Sequence, residues 1–180
     1  MMIRTFLAAA LAVLALSVMS APAAQAQVTV TRSPSTAPTL GSTIRGSSST
    51  TFSISTSGVV TRTSGDAIRM SSSTVTIPTI NLDCGLLNLK DLCALRYIRV
   101  RIQPAGGSGP ATITRFRVGT LYGTSFRSSR PTEGGSVTFD LLPIGILGGA
   151  SFTLGMDVVL QAGATSGEHT FNYIVTAELL

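Results

Sequence analysis

The sequence predicts an all-β fold, an antiparallel sandwich or barrel, on three observations. Apolar residues recur at every second position in several short runs, clusters of Gly, Ser, Asp and Pro separate those runs, and beyond residue 26 only the leucine-rich stretch near residue 90 departs from this pattern. Period two lines one face of a strand, whereas a helix would set its apolar residues three and four apart. Seven or more short strands between turn signals are the pattern of a sandwich or a barrel.

Ahead of the strands stands a leader. Met1-Met2-Ile3-Arg4 carries one positive charge, Phe6 to Met19 form an apolar run, and Pro22 precedes Ala24-Gln25-Ala26. A charged start, an apolar centre and a small-x-small triplet are the successive regions of a secretory signal, cleaved between Ala26 and Gln27. The apolar centre is about 14 residues, short of the ~20 a spanning helix needs, although an uncleaved anchor is a rival reading. The expected organisation is residues 1–26 as a cleaved signal, 27–39 as an N-terminal extension or first strand, and 40–180 as the sandwich domain. The product is expected in the periplasm, on the outer cell surface or outside the cell, with no transmembrane span.

Composition supports a folded domain. The chain is 44% hydrophobic and 12% charged, the reverse of the balance that keeps a segment disordered. A formal net charge of +5 is mild; it permits acidic partners without demanding one.

The strands follow in order. Val28 and Val30 alternate in a run ending near Pro34; Phe52 with Ile54, Val59 to Thr63, and Val75 with Ile77 before Pro78 mark three more. Tyr97 to Ile102 puts Ile98, Val100 and Ile102 on one face and Arg99 and Arg101 on the other. Ile113, Phe116 and Val118 change parity between 113 and 116, which predicts a bulge. Val137, Phe139 and Leu141 form the next strand. The clearest alternation comes last: Phe152, Leu154, Met156, Val158 and Leu160, then Phe171, Tyr173, Val175, Ala177 and Leu179 after a small-residue turn. Those two runs are close enough in sequence for an antiparallel hairpin. Turn signals such as Ser57-Gly58, Ser64-Gly65-Asp66 and Glu133-Gly134-Gly135 separate the others.

Cys84 to Ala94 is the exception, with Leu86, Leu87, Leu89 and Leu92 around Lys90 and Asp91. One or two helical turns are expected there. Cys84 and Cys93 are the only cysteines, and an oxidising compartment favours their pairing into a disulfide that staples the insertion. A metal site would need more ligands, and His169 is the only histidine.

Catalytic signatures are missing, so no catalytic residue, metal ligand or cofactor is expected. His169 stands beside Glu168 at the start of the last strand, where a solvated side chain is the ordinary outcome, and no Gly-x-Ser-x-Gly elbow occurs. The acidic residues are scattered, and Gly106 to Gly109 lacks the Lys and Ser/Thr of a phosphate loop. A carboxylate pair assembled by the fold stays open.

Arginines are concentrated. Arg96, Arg99, Arg101, Arg115, Arg117, Arg127 and Arg130 fall in one stretch, and Arg99 with Arg101, and Arg115 with Arg117, each share a strand face. Were those two strands neighbours, the four guanidinium groups would form a face for the carboxylates or phosphates of an acidic polymer. A solvated outer face is the plainer alternative. Nucleic acid is not expected as a partner, given export and modest charge.

A family likeness is carried by both ends of the chain. Leu40-Gly41-Ser42-Thr43-Ile44 through Gly46, then Thr51-Phe52-Ser53-Ile54-Ser55 and Gly58-Val59-Val60-Thr61, form one part. Phe152-Thr153-Leu154-Gly155-Met156, the turn Ala162 to Gly167, and His169-Thr170-Phe171-Asn172-Tyr173-Ile174-Val175-Thr176 form the other. The pattern resembles a family of secreted alphaproteobacterial domains of unknown function, itself similar to spore coat protein U domains and to pilins of the alternate chaperone–usher type. The cysteine pair and the arginine-rich middle depart from it.

The resemblance implies an immunoglobulin-like, pilin-like β-sandwich used as a structural subunit, partnered by itself, related subunits and a periplasmic chaperone. In such pilins a neighbour's N-terminal extension completes the sheet by strand addition. Residues 27–39, with Val28 and Val30, are the candidate donor; an ordinary first strand explains them equally well. The expectation is therefore a non-enzymatic exported structural subunit. The alternative is a monomeric periplasmic or extracellular module that binds acidic polysaccharide through Arg99, Arg101, Arg115 and Arg117.

Overall fold

The computed structural model describes residues 28–71, 74–84, 95–106, 109–145 and 148–180. The expected leader with its expected Ala26–Gln27 cleavage point, Cys93 and the leucine-rich turns expected beside it lie outside the described residues.

Twelve strands make up the regular structure of the described residues. They are β1 (Thr29–Ser33), β2 (Thr39–Ile44), β3 (Thr50–Ile54), β4 (Val60–Ser64), β5 (Ile68–Arg69) and β6 (Thr79–Asp83). After the undescribed stretch come β7 (Ile98–Pro104), β8 (Ala111–Tyr122), β9 (Val137–Leu141), β10 (Gly149–Leu160), β11 (Gly167–Thr170) and β12 (Tyr173–Leu179). All pairings between them are antiparallel.

β10 is the spine of the largest sheet. β8 runs along one of its edges, from Ser151 opposite Tyr122 to Leu160 opposite Ala111. A strand has two edges, so β6 and β3 share the other end to end: β6 against residues 149–153 and β3 against residues 156–160. β1 extends the sheet beyond β6, and β4 beyond β3. A second sheet has the order β12-β7-β9, and a small third sheet the order β11-β2-β5.

Alternation decides what each sheet buries. Ala150, Phe152, Leu154, Met156, Val158 and Leu160 of β10 are all buried, as are Ile98, Val100 and Ile102 of β7 and Val137, Phe139 and Leu141 of β9. These faces meet in one apolar cluster. Phe139 of the second sheet sets its ring edge-on to Phe152 of the first, with centroids 5.6 Å apart. Phe116 of β8 meets Tyr173 of β12 in the same way at 6.2 Å. Such pairs contribute about 0.5–1.5 kcal/mol beyond area burial. The result is an all-β, sandwich-like fold.

The parity break in β8 is a bulge. Arg115 lies opposite Asp157 and Ile113 opposite Val158, so Thr114 is the extra residue that returns Phe116 and Val118 to the core face. Gly58 turns the chain between β3 and β4 at φ 86°, a conformation that favours glycine, and its N–H donates to Ser55 O.

Four expectations need correction. Val75 and Ile77 are in no strand; the strand starts after Pro78, whose carbonyl accepts from Leu154 N at 3.0 Å and so opens the β6–β10 pairing. Proline lacks the N–H a strand interior needs but can stand just before one. The last two apolar runs form no hairpin, because both edges of β10 are taken and β12 pairs β7. The run from Phe171 to Leu179 is divided: Phe171 N bonds to Pro38 O beside β2 while Asn172 O accepts from Ala105 N beside β7, so the chain changes sheet there. His169, expected in solvent, is buried in β11, with Nε2 2.8 Å from Thr165 O.

Candidate functional site

Two features of the surface stand apart from the core: the outer edge of β12 and a pocket on the outer face of the β12-β7-β9 sheet.

The edge follows from the hydrogen-bond register. Ala105 N donates to Asn172 O and Leu180 N donates to Tyr97 O, each at 3.0 Å, which turns the even-numbered residues of β12 toward β7. In an antiparallel pair the intervening residues point their N–H and C=O the other way. Those groups of Val175, Ala177 and Leu179 face outward, and no strand among the described residues pairs with them. The side chains of the same three residues turn to the core yet are only half-buried, as is Val30 of β1. β1 and β12 come within 8 Å of each other between Cα atoms without pairing. The Arg32 guanidinium sits 5.2 Å from the centroid of the Tyr173 ring across that gap. Among the described residues, one flank of the sandwich thus ends in two unpaired edges over half-buried apolar residues.

The candidate donor is engaged within its own chain. Val28 is buried, Val30 lies opposite Leu82, and all of β1 is paired with β6. Serving a neighbour would require β1 to leave that strand.

The four arginines of the candidate acidic-ligand face are not brought together. Arg99 and Arg101 stand on the outer face of β7, Arg115 and Arg117 on the outer face of β8, in different sheets. Three of them are neutralised. Arg99 donates from Nε to Asp140 Oδ1 at 2.8 Å and from Nη2 to Oδ2 at 3.1 Å. That hydrogen bonding holds the Asp140 carboxyl below its ordinary range and raises Arg99. Arg117 donates to Glu133 Oε2 at 2.9 Å and lies 2.7 Å from Asp157 Oδ1, while Arg115 is 3.6 Å from Asp157 Oδ2. The contact from Arg117 Nη2 is close but misaligned, since Asp157 Oδ1 completes no hydrogen bond.

Arg101 differs from the other three. It makes no ion pair or hydrogen bond among the described residues, and its cross-strand neighbours are Thr138 and Thr176, both uncharged. Beside it an open depression of about 420 Å³ is lined by Arg99, Arg101, Ser128, Ser129, Arg130 and Thr138, among others. Arg130 is anchored at its rim: Nε donates to Val118 O at 3.1 Å, and Nη2 donates to the same oxygen. Arg127 stacks 4.2 Å above the Tyr97 ring nearby. Ser128, Ser129 and Arg130 were visible in the sequence only as part of an arginine-rich stretch; the Ser-Ser-Arg-Pro turn was the available signal.

Cys84 is buried at the end of β6, and no cysteine is free among the described residues. Among those residues no three His, Cys, Asp or Glu side chains gather, and no helix is long and apolar enough to cross a membrane. Fold and surface together define the class as a β-sandwich-like, antiparallel all-β protein. No protein-family model, curated protein or solved structure matches the chain.

Proposed function

We propose that the chain is an exported, non-enzymatic structural subunit, an immunoglobulin-like sandwich that receives a partner's strand along β12. The observation that carries this reading is the edge of β12 beside β1, unpaired among the described residues, with Val30, Val175, Ala177 and Leu179 half-buried beneath it. An added strand would bond the outward N–H and C=O groups and cover those side chains, which is the energetic basis of strand addition. The partner is a second copy or a related subunit presenting an extended segment. The charged start, apolar run and Ala-Gln-Ala triplet support export, and pairing of Cys84 with Cys93 suits an oxidising compartment. Closing that loop of about ten residues contributes roughly 2.5–3 kcal/mol in the chain-entropy model.

The test is a gel of surface and periplasmic fractions, unheated against boiled, for the wild type and Ala177→Pro. Proline at 177 removes an outward N–H and leaves the β12–β7 ladder intact. Strand-complemented polymers dissociate slowly, so a ladder should persist unheated, collapse on boiling, and disappear in Ala177→Pro while the variant's monomer melts within a few degrees of wild type. A single monomer band for the wild type in every lane rules out assembly of this kind.

A further inference from the structure

We infer that the pocket beside Arg101 binds the carboxylate of an acidic saccharide, independently of any strand added at β12. The case begins with charge placement on β7. Arg99 and Arg101 share the outer face, two residues apart, but their neighbours differ. Arg99 has Asp140 on one side and Glu178 on the other. Arg101 has Thr138 and Thr176. Asp140 also lines the pocket, and its carboxylate is held by Arg99, with Arg127 Nη1 3.8 Å from Asp140 Oδ2. Arg101 keeps its full complement of donors.

The remaining walls are those an acidic sugar needs. Arg130, held by Val118 O, supplies a second guanidinium whose position is set by backbone rather than by an acid. Ser128, Ser129 and Thr138 offer hydroxyls that both donate and accept, which match a sugar's own hydroxyls. A planar guanidinium meets a carboxylate with two parallel hydrogen bonds. The depression is open to solvent, as a site for one residue of a polymer passing across the face requires. The site differs from the four-arginine face read from the sequence: Arg115 and Arg117 are outside it, and Arg130 with its serines is inside.

Binding by the purified full chain, expressed with its own leader, tests this. The probes are a uronic-acid oligomer, a neutral glucose oligomer of the same length, and inorganic phosphate. The uronate oligomer should bind, and more weakly as salt rises, because the site is exposed and screening acts over about 8 Å at physiological ionic strength. Arg101→Gln should weaken binding at least tenfold. Thr138→Glu, which gives Arg101 the cross-strand acid it lacks, should do the same. Arg115→Gln should bind as wild type, and thermal melts of all three should overlay. The inference is overturned by equal binding of the neutral oligomer, by unchanged affinity in Arg101→Gln and Thr138→Glu, by binding of phosphate but not uronate, or by no binding at millimolar probe.

Discussion

Asp66 organises the turn between β2 and β3 with a single carboxylate. Its two oxygens accept from the backbone N–H and the hydroxyl of both Ser47 and Ser48, at 2.6–3.0 Å. Those hydrogen bonds, the serine hydroxyls foremost, hold its carboxyl far below the usual carboxylate range. A depressed carboxyl stabilises the fold above the unfolded-state value and loses that contribution as pH falls toward the folded one. Thermal melts should therefore show wild type more stable than Asp66→Asn at pH 7, with the gap closing as pH drops below about 4. A gap that stays constant across that range would mean the carboxylate's charge is irrelevant to the turn. Arg101 teaches the same lesson in reverse. Its identity and face were legible in the sequence, but its lack of an acid was not, because strand register decides which residues lie opposite.

At the scale of elements, β10 carries the heaviest demand. Phe152 is fully buried, opposite Leu121 on one side and Ile80 on the other, with Phe139 against its ring. Phe152→Ala should cost about 3–5 kcal/mol in denaturant unfolding, through lost burial and the cavity left behind. Thr176→Ala, on the exposed face of β12, should change stability by about 0.5 kcal/mol or less. Strands with strong apolar alternation were legible: β7, β9, β10, most of β12 and the bulge in β8 all follow from parity. β2, β5 and β11 were not, since TLGSTI, IR and GEHT carry too little apolar pattern to stand out from turns. The hairpin failed for a different reason. Adjacency in sequence says nothing about edges already occupied, and β10 had none to spare. The pocket was illegible for the same cause, as it joins β7 and β9 to a loop contributed by residues 128–130.

The molecule as a whole depends on residues 149–180. Each of the three sheets contains one strand from residues 149–180: β10 in the first, β12 in the second, β11 in the third. β3 and β6 pair β10 on one edge and β8 on the other, so a shorter chain has nowhere to assemble them. A chain ending at residue 148 should be digested by protease at rates of an unfolded polypeptide, while the full chain resists; resistance of the short form would show that an earlier nucleus exists. Non-local pairing of this kind makes folding slow, because distant segments must meet before any contact rewards them. During synthesis, then, none of the three sheets can be completed until residues 149–180 have left the ribosome. Under the proposed export through a membrane, that delay would keep the polypeptide threadable, because all three sheets are completed only by residues 149–180.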